Sequence, residues 1–170
     1  SRGLGDVYKR QIKYSGQINA DTSSPVIGST CAQTVDIVLT SELDPAKEYA
    51  INLGIMVGSS IEYKKLGLFT FEHPEINDGQ YRYKGYDRMM YYKFNMLYST
   101  ALTGAHKTSE YMAEIARLTG VPFVSALEDI TITMLPGYTC REVIGYIAAL
   151  HGANAIINDC LLYTSPSPRD

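Results

Sequence analysis

The chain has 170 residues, a formal net charge of −3 and 45% hydrophobic residues, which suits one domain or a pair of small domains with a buried core. The acidic balance argues against a nucleic-acid-binding surface, because such a surface gains affinity from basic side chains that neutralise phosphates. No apolar run approaches the roughly 20 residues that a membrane-spanning helix needs, so we expect no membrane span.

Both ends of the chain can be encoded by a single DNA element. One orientation encodes residues 1–11, and the reverse complement encodes residues 160–170. We therefore expect both ends to be translated sequencing adapter, which has no place in fold reasoning. The remaining residues, 12–159, number 148 and have a formal net charge of −5, because the two ends carry four basic and two acidic residues. We expect this stretch to be cut from a longer reading frame.

Only two cysteines, Cys31 and Cys140, lie between these ends. They form no CxxC pair, and no histidine cluster accompanies them, so the spacing of a zinc site is missing. The chain also lacks a Walker loop, a GxSxG elbow and an HExxH helix. We expect two buried, reduced thiols, with no metal, no cofactor and no catalytic residue in this segment.

The first half of the chain has the pattern of an antiparallel sheet. Residues 12–19 are a candidate first strand. Apolar and polar side chains alternate over residues 34–40, as expected for a strand with one buried face. The clearest alternation is in Tyr49–Val57, which predicts a further strand.

Turn residues then predict two hairpins. Gly58-Ser59-Ser60 turns the chain into a return strand over residues 61–71, in which Gly67 indicates a bulge or a close backbone approach. Asn77-Asp78-Gly79 tolerates positive φ and predicts that Gln80–Asp87 pairs back. The fold class is therefore predicted to be α+β, with an antiparallel meander or partial barrel over residues 12–87.

The rest of the domain, residues 88–159, is predicted to be a helical insert with a closing strand. Residues 88–98 are dense in Met and aromatic side chains and indicate a short helix or an irregular crossing. A helix is predicted over residues 109–118, with Thr108 or Ser109 as its cap and Gly120 as its end. Residues 130–134 are a candidate short strand.

The last helix has the clearest start signal. Thr139 and Glu142 have the spacing of a capping box, and Val143, Ile147 and Leu150 recur at helical spacing. Gly152 stands where a left-handed residue ends a helix, and residues 153–157 then form a strand. We expect two to three packed helices in all, the last of them lying on the sheet that it feeds.

Two groups of residues are candidates for packing or interface roles. Gly145, Ala149 and Gly152 form a small-residue face, which favours close approach to a strand or to a neighbouring subunit over a ligand site. Asp87 and Arg88 follow a glycine at the end of a strand, where a structural ion pair or turn is favoured over a functional site.

Residues that invite a catalytic interpretation carry a weaker signal. Cys140 and His151 share a helix face but lie 11 residues apart, about 16 Å along the axis, which is too far for a hydrogen bond. His73 and His106 are expected to be surface histidines. The acidic loop residues could hold an ion or act as paired carboxylates, but solvated loop charge is the favoured interpretation. These residues are Glu72, Glu75 and Asp78.

The order of several short motifs resembles the N-terminal, tail-tube-like region of phage and prophage tail proteins of the baseplate hub class, including the tail-associated endopeptidase proteins. In chain order, the motifs are Gly-Ser-Thr-Cys at 28–31, Tyr-Lys-Lys-Leu-Gly-Leu-Phe-Thr at 63–70, Gly-Tyr-Asp-Arg-Met at 85–89, Ala-Arg-Leu-Thr-Gly-Val-Pro at 116–122, and the helix and strand at 137–155. The resemblance spans nearly all of residues 12–159.

The resemblance implies a barrel-like tube domain in a homotrimeric ring that continues the tail tube. DNA passes through the lumen of such a ring without specific binding, and the partners are distal tail, tail-tube and tape-measure proteins. The implied location is the virion tail, after assembly in the host cytoplasm. The family supplies no catalytic residue here, and any lytic module would lie downstream. It also continues into further strands after residue 159.

Two other functions compete with a structural role. A tail-associated peptidase or cell-wall hydrolase would have to use residues such as Glu72, His73 or Glu75. A carbohydrate-binding or host-surface module is suggested by the twelve tyrosines of residues 12–159, but most of these alternate along strands, where packing explains them first.

Overall fold

The computed structural model describes residues 9–15, 27–98, 102, 104–123, 128–158 and 161–166. The chain divides into two compact units, and among the described residues it passes between them at Ala32–Gln33 and again at Arg88–Met89. The first unit holds the described residues 9–15 and 33–88. The second holds residues 27–32 together with the described residues from 89 onwards.

The first unit is an antiparallel sheet that curls into a half-barrel, so the predicted α+β class with a partial barrel is confirmed. Its strands are β1 (Lys9–Ser15), β2 (Thr34–Leu39), β3 (Tyr49–Val57), β4 (Ser60–Phe71), β5 (Glu75–Asn77) and β6 (Gln80–Asp87). The spatial order is β1-β2-β6-β4-β3, with β5 also paired to β6.

This order is not that of a sequential meander, because β6 inserts between β2 and β4. One edge of β6 pairs with β2, and its other partners are β5 near its start and β4 near its end. β4 and β5 can follow one another along β6 because the chain is irregular at residues 72–74, where the Glu72 amide donates to the Lys84 carbonyl over 3.0 Å.

The predicted turns and alternation explain this sheet. Asp78 and Gly79 both have positive φ, 48° and 71°, which matches the strand twist of a two-residue hairpin. On β2 the odd-numbered residues are buried and the even-numbered ones are not, as expected for a strand with one covered face. The core of this unit consists of Val35, Ile37, Leu39, Leu43, Ile51, Phe69, Phe71 and Tyr83.

After β6 the chain forms two 3₁₀ turns, Arg88–Met90 and Tyr92–Asn95, and the passage from the first unit to the second lies within the first of them. These short turns lie in the stretch at residues 88–98 for which a short helix or an irregular crossing was predicted. The remaining elements are β7 (Ala105–Lys107), α1 (Thr108–Thr119), β8 (Thr131–Thr133), α2 (Cys140–Leu150), β9 (Ala153–Asn158) and β10 (Leu161–Pro166). β7 pairs with β8, and β9 with β10, both antiparallel.

The predicted cap of α1 is wrong, although the helix and its end are confirmed. The Lys107 amide donates to the Glu110 carboxylate over 2.8 Å, and the Ser109 amide donates to Asp129 over 3.0 Å. The first-turn amides are thus satisfied partly by a carboxylate 20 residues further along the chain. Gly120, with φ 75°, ends the helix in the left-handed conformation.

The capping box of α2 is confirmed. The Glu142 amide donates to the Thr139 hydroxyl over 3.2 Å, and the Thr139 amide donates to the Glu142 carboxylate over 2.7 Å. The predicted apolar stripe is wrong at Leu150, which is 51% exposed. The buried arc is centred near Cys140 and Ile147, and successive residues turn by about 100°, so Leu150 falls at its edge.

The buried side of α2 belongs to the core of the second unit, together with α1, the 3₁₀ turns and β9. β9 follows α2 through a turn in which Gly152 has φ 63°. β10 and the start of β1 fall on the ends expected to be adapter. Because strand pairing uses backbone groups that nearly every residue supplies, the origin of these ends stays a prediction.

Candidate functional site

The structure places Gly145 of α2 against Gly28 of the segment at residues 27–30. A Cβ built on Gly145 would lie 2.7 Å from the Gly28 carbonyl oxygen, and one built on Gly28 would lie 2.8 Å from the Gly145 carbonyl oxygen. Real Cβ atoms are essentially never that close to another heavy atom. Glycine at both positions therefore lets two backbones touch inside the second unit.

The segment that α2 touches is held by β9. The Gly28 amide donates to the Ala153 carbonyl over 2.9 Å, and the Ala155 amide donates to the Ser29 carbonyl over 2.9 Å. The Ser29 amide also donates to the Asn154 side chain over 3.0 Å. Gly28 has φ 84°, which favours glycine for a second reason. The segment is thus clamped between α2 and β9.

The other two residues of the predicted small face are placed differently. Ala149 lies beside Gly28, its Cβ 2.9 Å from where a Gly28 Cβ would stand. A Cβ on Gly152 would meet no heavy atom within 4 Å, so Gly152 serves the turn after α2 through its positive φ. Of the three, Gly145 and Ala149 make the close contact.

Arg141, which the sequence did not single out, ties this region together. Its guanidinium donates to the Asn95 side chain over 2.9 Å, to the Thr30 carbonyl over 3.3 Å and to the Met89 carbonyl. A cavity of about 530 Å³ lies alongside, lined by the segment at 27–30 and by one side of α2. With Arg141 bonded to three protein acceptors, the arginine beside this cavity acts as a tether.

Asp87 and Arg88 each have a structural partner in the first unit. Asp87 is 1% exposed. Its carboxylate accepts a hydrogen bond from the backbone amide of Gln33 over 3.0 Å, and its own backbone amide donates to the backbone carbonyl of Gln33 over 3.1 Å. Arg88 forms a two-pronged ion pair with Glu48, with contacts of 2.9 and 2.7 Å. These bonds fix the end of β6 and the entry into β3.

The residues with a catalytic signal are dispersed. Cys140 and His151 lie at opposite ends of α2, and burial raises the pKa of the Cys140 thiol, which keeps it protonated. His73 is exposed in the loop after β4, whereas His106 lies 3.5 Å from Glu110 and packs edge-on against Tyr111. Both described cysteines, Cys31 and Cys140, are free and buried, as predicted.

The acidic loop residues line no converging site. Glu75 and Asp78 border a cavity of about 250 Å³ together with Arg82. Within the described ranges, no three His, Cys, Asp or Glu side chains come together in a way that could hold a metal ion. The described helices are all too short or too polar to cross a membrane.

The β3–β4 hairpin carries an exposed apolar surface that was not predicted from the sequence. The root of the hairpin is buried, with Ile51 only 3% exposed. Beyond it, residues 52–66, which we call the hairpin arm, are exposed or half-buried throughout. β4 pairs with β6 only at Phe69, Thr70 and Phe71, so among the described strands the arm is a two-stranded ribbon.

The arm carries large apolar side chains on both of its faces. Directly paired residues share a face, which puts Leu53, Ile55 and Val57 on one side, the aliphatic face. Met56, Ile61 and Tyr63 lie on the other side, the aromatic face. These six side chains are 47–72% exposed. The Tyr63 ring lies over Gly54, where a Cβ would stand 3.2 Å from it.

The similarity of this chain to known proteins lies in its structure. No family model matches the sequence, and no curated protein matches it. The structure matches the 43 kDa tail protein of prophage MuSo2 from Shewanella oneidensis, with a TM-score of 0.51 and 9% identity, over 81% of this chain and 48% of that one. The tail protein from Neisseria meningitidis MC58 matches with a TM-score of 0.55 and 13% identity, over 78% and 41%.

The chain shares its fold with these tail proteins. It spans less than half the length of either of them. At identities of 9% and 13% the similarity concerns the fold, and residue roles do not transfer with it.

Proposed function

We propose that this chain is a structural component of a phage or prophage tail tip, of the baseplate hub class, located in the virion tail after assembly in the host cytoplasm. The observation that carries the proposal is the fold shared with two tail proteins over about four fifths of the chain. The order of sequence motifs from residue 28 to residue 155 supports the same class.

In the proposed assembly, copies of the chain form a homotrimeric ring that continues the tail tube and meets distal tail, tail-tube and tape-measure proteins. DNA passes through the lumen without specific binding. The net negative charge of the chain supports this part, because an anionic wall repels phosphates and does not retain the passing DNA.

We further propose that this segment is not an enzyme. A nucleophile needs a base within hydrogen-bond reach and a thiolate or activated hydroxyl at the surface. Cys140 is instead buried at the start of α2, and His151 is at its other end. The described residues therefore favour assembly over peptidase or wall-hydrolase chemistry.

Electron microscopy tests the tail-tip assignment. The complete reading frame would be co-expressed with its distal tail and tail-tube partners, and purified tail tips would be imaged and probed for the chain. We expect ring-shaped density at the end of the tube that contains it. A chain that remained monomeric and was absent from tail tips would contradict the proposal.

A zymogram tests the enzymatic alternative. We expect no clearing of peptidoglycan by the purified chain. Clearing that disappeared in a Glu72→Ala, His73→Ala, Glu75→Ala triple variant would favour a wall hydrolase.

A further inference from the structure

We propose that the hairpin arm is a docking surface between copies of this chain, with each of its two apolar faces covered by one neighbouring copy. The inference rests on the proposed structural role, and it names the partner and the surface through which that role is performed.

The distribution of exposed side chains is the first observation. Six large apolar residues that are about half exposed or more lie within the eleven residues from Leu53 to Tyr63. With about 80 Å² of open surface for each half-exposed large side chain, each face of the arm presents about 240 Å², and the two faces together on the order of 500 Å². Apolar surface concentrated on both sides of a single hairpin favours an interaction site over a solvated hairpin.

The two-sided character of the patch is the second observation. A surface strand normally turns one face to its core and the other to water. The arm carries three large apolar side chains on each face, and on the aliphatic face these are paired with Lys64, Glu62 and Ser60 of the other strand. Ile55 at 48% and Met56 at 70% exposure are adjacent residues on opposite sides. The arm therefore needs two covering surfaces.

The weakness of an isolated ribbon is the third observation. Beyond the root, no further described strand pairs with either edge of the arm. A two-stranded hairpin without packing on either face is marginally stable in water. Burial of both faces would stabilise the arm.

Charge favours another copy as the occupant. The arm contains Glu62, Lys64 and Lys65 and so has a formal charge of +1, whereas residues 12–159 have −5, which leaves −6 for the rest of that stretch. A positive arm is therefore attracted to the acidic remainder of a second copy. In a closed assembly each copy has one neighbour on either side, which supplies two covering surfaces from one sequence.

Photo-crosslinking identifies the occupant. In two separate variants, Ile55 on the aliphatic face and Tyr63 on the aromatic face are replaced by p-benzoylphenylalanine. We expect both variants of the purified full chain to give crosslinks between copies, identified by mass spectrometry of a mixture of isotopically light and heavy chains. Crosslinks within one chain only would overturn the proposal, as would preferential crosslinking to another tail protein when all are co-expressed.

Substitution tests whether the arm drives association. Ile55→Glu and Met56→Glu each place a charge on one face, and we expect each to weaken self-association at least about 10-fold in sedimentation velocity. Ile76→Glu is the matched control, because Ile76 is 67% exposed but lies on β5 outside the arm, and we expect it to leave association unchanged. Ile55→Thr and Met56→Thr, which retain strand propensity, serve if the Glu variants do not fold.

The outcomes separate this inference from the proposed function. If the Ile55 and Met56 variants still formed wild-type oligomers and entered tail tips, the arm would not be the docking surface, although the tail assignment would stand. If the variants lost self-association while the wild type assembled without ever joining a tail tip, the arm would stand and the tail assignment would fail. A wild-type chain that stayed monomeric at every concentration would overturn the inference.

Discussion

Two regions of the molecule use side-chain size in opposite ways. One is the contact between α2 and the segment at residues 27–30, and the other is the hairpin arm. In the second unit, Gly28 and Gly145 remove side chains so that two backbones meet within the chain. In the first unit, large side chains such as Ile55 and Met56 extend from a ribbon into open space. Small residues therefore mark a contact that the chain makes with itself, whereas the surface left for another molecule is built from large residues.

The largest effect is expected from breaking the contact between Gly145 and Gly28. Gly145→Leu puts a side chain where the Gly28 carbonyl oxygen stands, and we expect it to lower the free energy of unfolding by about 3 kcal/mol. Gly145→Ala is the sharper variant, because alanine favours a helix over glycine by about 1 kcal/mol, yet we still expect a net loss.

Chemical denaturation followed by circular dichroism measures both variants. Leu150→Ala, at an exposed position of the same helix, is the control, with an expected change below about 0.5 kcal/mol. A Gly145→Ala variant more stable than the wild type would show that the two backbones separate at little cost.

The next effect concerns the buried carboxylate of the first unit. Asp87→Ala removes the carboxylate that accepts a hydrogen bond from the backbone amide of Gln33. We expect this variant to lose about 2 kcal/mol in the free energy of unfolding. Asp87→Asn keeps an oxygen at the same place and should lose less. Equal losses in the two variants would indicate that the charge of Asp87, and not its hydrogen bond, stabilises the sheet.

A smaller effect tests the start of the helix that carries Gly145. Thr139→Ala removes half of the capping box and should cost about 1 kcal/mol near neutral pH. The hydrogen bonds from the Thr139 amide and hydroxyl hold the pKa of Glu142 below its ordinary value, so the folded state binds this proton less readily than the unfolded state. The contribution of Glu142 is therefore fully present above the ordinary pKa of a glutamate and is lost as the pH falls through the lowered pKa.

Thermal or chemical unfolding at neutral and strongly acidic pH checks this sign. The difference in stability between wild type and Glu142→Gln should shrink in acid. A difference that grew as the pH fell would contradict the lowered pKa.

The smallest effect on folding is expected in the arm. Ile51 and Ile55 lie on the same strand, with Ile51 3% and Ile55 48% exposed. Ile51→Thr should cost about 2 kcal/mol or more, because it removes buried apolar surface and buries a hydroxyl. Ile55→Thr should change the unfolding of the dilute chain by less than about 0.5 kcal/mol. Similar losses at the two positions would mean that the arm is covered within the chain.

Local features of the fold were predictable from the sequence. The bounds of β3 and β6 followed from alternation and turn residues, and the start of α2 followed from Thr139 and Glu142. The cap of α1 was not predictable, because Asp129 reaches Ser109 from 20 residues away. The place of β6 between β2 and β4 likewise depends on pairing over long sequence separations, which short-range patterns do not encode.

The candidate surfaces were predictable only in part. The small face of α2 was visible in the sequence, but its partner, Gly28, lies 117 positions away and was not. The arm was missed because alternation shows which side chains share a face and not whether anything covers that face. The sequence does show apolar residues on both faces of the hairpin. Met56 lies on the face of β3 that also holds Asn52 and Gly54, and Ile61 and Tyr63 of β4 lie on that same face.

The position of β6 also bears on how the chain folds during synthesis. β6 bonds to β2, β4 and β5, so until residue 87 has left the ribosome, β2 and the root of the β3–β4 hairpin lack their shared neighbour. Pairing that spans such separations must first close long loops, which makes folding slow. During that interval the apolar strands are open to off-pathway association, and we expect the nascent sheet to depend on chaperones more than the locally built helices do.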